Sequence, residues 1–213
     1  MARYMIHACP KRMWYVNDYM IPSMLEKGIS EKDIHVFNDD KKLGNLKAFL
    51  ASLKWILENW NDVEGVWHLQ DDVILCRDFR HRTEVYDKGM VYGFQSEYDN
   101  TTDLWYSFPC IRIKNSIIPK FLYWLDNEIE LQHNKEIITL VSNNKYDDEL
   151  LKRWLYNYYK DYIVRVSPNL VDHVDWIIGG STVNKQRNNK IVRSVDWKDE
   201  YLVEELKKRL TNG

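Results

Sequence analysis

Short apolar runs alternate with helical periodicities through the first two thirds of the chain. Residues 4–8 (Tyr-Met-Ile-His-Ala) predict a strand that runs into Cys9-Pro10-Lys11-Arg12, where proline, lacking an N–H, ends pairing and two cations follow. A helix is predicted over about 16–26 with Gly28 beyond its end, and Ser30 to Asp33 has capping-box spacing with Asp in the place of Glu. Ile34-His35-Val36-Phe37 predicts a second strand, which ends in Asn38-Asp39-Asp40. The clearest helix follows Gly44: Leu46, Phe49, Leu50, Leu53, Ile56, Leu57 and Trp60 recur at steps of three and four, so one face is buried. Val66-Trp67-His68-Leu69 predicts a third strand, stopped by Gln70-Asp71-Asp72, and residues 90–94 a fourth. Strands alternating with helices imply crossover connections, hence an α/β fold with a mainly parallel central sheet flanked by helices.

Beyond Gln95 the pattern coarsens. It contains an apolar stretch over 104–113, helices over about 116–130 and 147–159, and a strand over 162–166. Residues 184–193, rich in Asn, Lys and Arg, predict an exposed loop, and 197–210 an amphipathic closing helix. No repeat, low-complexity segment or linker divides the 213 residues, so one domain over 1–213 is expected.

Charge narrows the function classes. Lys and Arg number 30 against 32 Asp and Glu, a formal net charge of -2, which excludes a chain that coats nucleic acid by bulk charge alone. Any anionic ligand must be held locally. The three cysteines, Cys9, Cys76 and Cys110, have no C-x-x-C spacing, so neither a disulfide framework nor a zinc knuckle is readable. With no apolar run resembling a signal peptide or a membrane span, a cytoplasmic protein is expected.

Ligands of open parallel sheets collect beyond the carboxyl ends of the strands. Here those ends carry Pro10, Lys11 and Arg12, then Asn38, Asp39 and Asp40, then Gln70, Asp71 and Asp72. Paired carboxylates supply hard oxygens to Mg²⁺ or Mn²⁺, and such an ion can neutralise a diphosphate. Asp-Asp pairs occur three times, at 39/40, 71/72 and 147/148, but only Asp71-Asp72 interrupts an apolar run, with Val73-Ile74-Leu75 directly after it. A buried carboxylate pair needs a counter-cation. A turn in which Asp caps backbone amides is the plainer alternative.

The order of these motifs, with the helix between them and Trp67-His68-Leu69-Gln70-Asp71-Asp72-Val73 after it, resembles the nucleotide-sugar-binding half of GT-A-fold glycosyltransferases. Gln70-Asp71-Asp72 corresponds to their D-x-D motif with Gln70 in the first position. The resemblance implies that Asp72 contacts Mn²⁺ (or Mg²⁺) and Asp71 helps to hold the sugar or ribose. Two later segments fit the same family. Asp147-Asp148 opens a predicted helix where that fold carries an acidic pair, which makes Asp148 the candidate base of an inverting enzyme; the local alternative is a first-turn acid that stabilises the helix. Pro168-Asn169-Leu170 followed by His173 resembles the P-x-L-x-x-H element of several GT-A families, including the lipooligosaccharide type. By that match His173 is a metal ligand, and Gly179-Gly180-Ser181 closes over the diphosphate.

On this resemblance residues 1–95 form the nucleotide-sugar half, 96–183 the acceptor and catalytic half, and 184–213 a basic loop and helix. Pro10, Lys11 and Arg12 would meet phosphate, and Asn38, Asp39 and Asp40 base or ribose. Trp105 and Tyr106, with Asp147, are acceptor candidates, since sugars and bases stack on aromatic faces; the same aromatics also suit a core or a dimer surface, which leaves a homo-oligomer open. The expected function is metal-dependent transfer of a sugar from a nucleoside-diphosphate donor, UDP-linked by expectation, to an acceptor hydroxyl. Glycan and hydroxymethylated DNA are both candidate acceptors, as in small phage DNA-modifying enzymes, in which case the location is the host cytoplasm. The competing classes are another metal-dependent phosphate-ester enzyme, a nucleotidyltransferase or nuclease, and a non-catalytic binding protein.

Overall fold

The computed structural model describes residues 2–93, 109–128, 135–144, 147–159, 162–166, 169–174, 178 and 208. Six strands, β1 (Arg3–Ala8), β2 (Ile34–Asn38), β3 (Gly65–Gln70), β5 (Met90–Tyr92), β6 (Cys110–Lys114) and β7 (Ile163–Arg165), form a sheet in the order β2-β1-β3-β6-β5-β7. β4 (Val73–Leu75) and β8 (Val171–His173) make a separate two-stranded ribbon. In the large sheet β1 pairs in parallel with β2 and β3, and β5 with β7, while β6 runs against both of its neighbours. The expected α/β sheet is present and mostly parallel, with β6 reversed at its centre.

Helices cover both faces because the strand residues alternate. Tyr4, Ile6, Trp67 and Leu69 pack on one side with Tyr15, Val16, Met20 and Met24 from the helical stretch that follows β1. Met5, Val66, Ile111 and Ile113 pack on the other with Leu46, Phe49, Leu53 and Ile56 of helix Asn45–Asn59. That helix buries the stripe its three-and-four spacing predicts. The helical stretch after β1 passes from Met13–Tyr15 through a π-helical Val16–Met20 to Ile21–Glu26.

Several elements depart from the sequence pattern. Ser30 makes no side-chain cap; Glu31–Asp33 is a short 3-10 turn, and Asp33 is instead buried against Arg3 at 3.5 Å. Val73–Leu75 is a strand rather than the continuation of an apolar run, and helices Phe79–Val85 and Lys135–Asn143 stand where the sequence reading predicts no helix. Helix Asp147–Tyr159 matches its prediction, whereas the 184–193 loop and nearly all of the closing helix lie outside the described residues. No described helix is long and apolar enough to cross a membrane.

β3 enters the sheet through Gly65, which pairs with Lys114 of β6. A Cβ there would stand 2.6 Å from the Ile113 carbonyl oxygen and 2.9 Å from Arg112 Nη1. Arg112 is itself fixed, donating from Nε to Asp87 at 2.8 Å and from Nη1 to the Gly89 carbonyl. Backbone cannot yield as a flexible side chain can, so Gly65→Ala is expected to cost about 1–3 kcal/mol of stability. Urea unfolding of the two proteins side by side checks this; an unchanged midpoint would mean that the β3–β6 pairing is looser than the contact distances imply.

Candidate active site

Proline decides where the site begins. β1 cannot continue past Cys9 because Pro10 has no N–H to give the sheet. The chain turns into a 3-10 helix, Pro10–Arg12, in which the Arg12 N–H donates to the Cys9 carbonyl at 2.9 Å. This turn points the Arg12 side chain back across the end of β3, where it is only 5% exposed. Pro10 and Lys11 remain exposed.

β3 delivers Asp71 and Asp72 to the same place, each 5% exposed. Arg12 Nη1 donates to Asp71 Oδ1 at 2.8 Å and makes a very short contact with Asp72 Oδ2, so one nitrogen spans both carboxylates. Asp71 Oδ2 accepts the Cys9 backbone N–H at 2.8 Å. The third partner comes from far along the chain. β8 pairs antiparallel with β4 in the register Val73↔His173, and the Val174 N–H donates to the Asp72 carbonyl at 2.8 Å. That register sets His173 Nε2 3.0 Å from Asp72 Oδ1. Tyr15, fully buried, donates to the Val73 carbonyl at 2.9 Å and ties the first helical stretch to the same segment.

The charges follow from these contacts. Burial raises the pKa of both carboxyls, but at Asp72 the charge of His173 and then of Arg12 overrides it and holds the group at about 2. At Asp71 burial and the adjacent Asp72 charge outweigh Arg12 and the Cys9 N–H, and the pKa rises. Arg12 is shifted upward despite its burial, because both carboxylates hold it charged.

The remaining sequence candidates are distributed around this cluster. Asn38 ends β2 with its Oδ1 buried and without a hydrogen-bond partner among the described residues. Asp39 is taken up by its own loop, accepting the Leu43 N–H at 2.7 Å and the Gly44 N–H at 3.0 Å, while Asp40 is exposed. Gly44, at φ +87, starts helix Asn45–Asn59. Gln70 is half-buried, and its N–H donates to the Pro109 carbonyl at 3.1 Å. Asp147 and Asp148 lie in the first turn of helix Asp147–Tyr159. Trp105, Tyr106, Pro168, Gly179, Gly180 and Ser181 lie outside the described residues.

The sequence reading missed three contributors: the Cys9 amide, the Tyr15 hydroxyl and a histidine pair. His7, opposite Gln70 in the β1–β3 register, stacks on His68 with ring centroids 5.1 Å apart and Nε2 2.8 Å from His68 Nδ1. Both rings contact Phe49. The alternation of β1 and β3 carried a signal for them, since each His shares its face with a buried apolar neighbour, Met5 or Val66.

Two ligands at right angles on a six-coordinate Mg²⁺ or Mn²⁺, each at about 2.1 Å, stand about 3.0 Å apart. Asp72 Oδ1 and His173 Nε2 have that spacing, which is also that of their ion pair, and a carboxylate with an imidazole suits a divalent transition metal better than Mg²⁺. Among the described residues no group of three His, Cys, Asp or Glu could hold a metal ion.

No protein-family model matches this chain, and no curated protein matches it. Two solved glycosyltransferases are similar to it in backbone course. The galactosyltransferase LgtC, in complex with donor and acceptor sugar analogues, aligns over 97% of this chain and 95% of its own, with a TM-score of 0.49 and 14% identity. GlyE of Streptococcus pneumoniae TIGR4 aligns over 78% of this chain and 45% of its own, with a TM-score of 0.41 and 11% identity. At this distance nothing about chemistry transfers to individual residues.

The histidine pair beside this site makes stability depend on pH. Burial drives the His7 imidazole down from 6.5 to about 3, and burial together with the His7 charge drives His68 down as well. The unfolded chain therefore takes up these protons first as pH falls. The stability each neutral ring contributes is full above about 6.5 and is lost toward about 3. His7→Gln should flatten the fall of the urea midpoint between pH 7 and 5, a window worth at most about 2 kcal/mol per ring. An unaltered slope in the variant would assign the acid sensitivity to other groups.

Proposed function

We propose that this protein is a metal-dependent glycosyltransferase of the GT-A type, which moves a sugar from a nucleoside-diphosphate donor, UDP-linked, to an acceptor hydroxyl. The observation that carries this reading is the approach of His173 Nε2 to Asp72 Oδ1 at 3.0 Å at the carboxyl end of β3, beside Asp71 and Arg12. That edge is where a sheet of this kind receives its ligand.

In this reading Asp72 and His173 hold Mn²⁺ or Mg²⁺, which when bound neutralises the charge of the departing diphosphate. Asp71, fixed by Arg12 and the Cys9 amide, faces the sugar or ribose. Lys11, exposed next to the buried Arg12, adds a cation at the rim where phosphates enter. Asp148 is the base that removes the acceptor proton in an inverting reaction. It lies in the first turn of helix Asp147–Tyr159. A glycan or a hydroxymethylated base in DNA is the acceptor class that the aromatic and basic segments favour.

Hydrolysis and transfer assays with UDP-sugars and Mn²⁺ test the reading. Asp72→Asn should lower both rates by on the order of 100-fold, since an ion of this kind supplies several kcal/mol of transition-state stabilisation. Asp148→Asn should lower transfer by on the order of 10² to 10⁴ while leaving donor binding intact. Unchanged hydrolysis in the first variant removes the metal assignment, and unchanged transfer in the second removes the base. Diphosphate release from nucleoside triphosphates with no response to any sugar nucleotide would point to a nucleotidyltransferase instead.

A further inference from the structure

Arg12 occupies a position that phosphate binding alone does not explain. Its guanidinium is buried, and its Nη1 spans Asp71 Oδ1 and Asp72 Oδ2 while Asp72 Oδ1 faces His173. Asp72 is thus divided between two partners: one oxygen meets the guanidinium and the other meets the imidazole. Asp71 is held twice, by Arg12 and by the Cys9 N–H, so it stays placed whatever happens at Asp72. Arg12 also sits at the end of a short 3-10 turn beside exposed Pro10 and Lys11, and a flexible side chain joins its head to that turn.

We propose that Arg12 is a resident counter-cation: it stands against Asp71 and Asp72 and holds them in place while no divalent ion is bound, and it competes with that ion for Asp72. This rests on the metal site of the proposed function. When the ion binds, Arg12 gives up Asp72 Oδ2 and keeps Asp71, so the carboxylates never face each other without a cation between them. The exchange lowers the affinity for the ion and makes the ion-free protein nearly as stable as the loaded one.

The test uses Mn²⁺ alone, without donor or acceptor. Binding is read from the electron paramagnetic resonance signal of free Mn²⁺, and thermal unfolding is followed in EDTA and in Mn²⁺. Wild type should gain little in Tm from Mn²⁺. Arg12→Met should unfold about 10 °C lower in EDTA, recover most of that loss in Mn²⁺, and bind Mn²⁺ about tenfold tighter. Arg12→Lys, which keeps the charge but not the planar fork, should fall between them and supplies the readout if Arg12→Met does not fold. Equal Mn²⁺ affinity in wild type and variant, or a Tm loss that Mn²⁺ does not recover, overturns the counter-cation role and leaves the metal site standing. Absence of Mn²⁺ binding by wild type and variant alike overturns both.

Discussion

Two adjacent carboxylates, each 5% exposed, cannot be buried together unless cations stand against them. Asp71 and Asp72 impose that condition on everything around the carboxyl end of β3. Arg12 answers both, and His173 answers Asp72 from the other side. Each partner comes from a different segment, so the charge requirement also binds the turn after β1 and the ribbon β4–β8 to the edge of the central sheet.

The backbone prepares these meetings through modest local rules. Pro10 ends β1 and starts the turn that carries Arg12 inward. The pairing of β4 with β8 fixes His173 opposite Val73, and antiparallel register leaves no freedom to slide by one residue without turning the imidazole to the other face. Tyr15 closes the arrangement by bonding the Val73 carbonyl, which ties the helix behind β1 to the acidic segment. The site is built from the ends of strands and from the hydrogen bonds that join them.

Pairing the acids with an arginine rather than leaving them to a metal alone has an electrostatic consequence. With Arg12 in place, the two acids carry one net negative charge before His173 is counted. In the proposed function a divalent ion would turn this corner positive, the sign a diphosphate donor requires. The whole-chain balance of 30 cations against 32 acids says nothing of this, because the charges that matter are segregated at one rim.

The sequence alone was enough to place β1, β2, β3 and helix Asn45–Asn59, because period-two and period-3.6 patterns are local and are read directly from apolar spacing. It also singled out Asp71-Asp72, since an acidic pair inside an apolar run cannot be a solvated ornament. It could not show that Asp39 serves its own loop while Asp71 meets Arg12, because both pairs follow a strand in the same way and differ only in what approaches them in space. The reversed direction of β6 and the short β4 escaped it for the same reason: strand direction and pairing depend on partners distant in the chain. The tertiary structure alone decided that the required counter-cation is Arg12 and that His173 stands 3.0 Å from Asp72, since both follow from a turn and a strand register that bring together residues with no local relation.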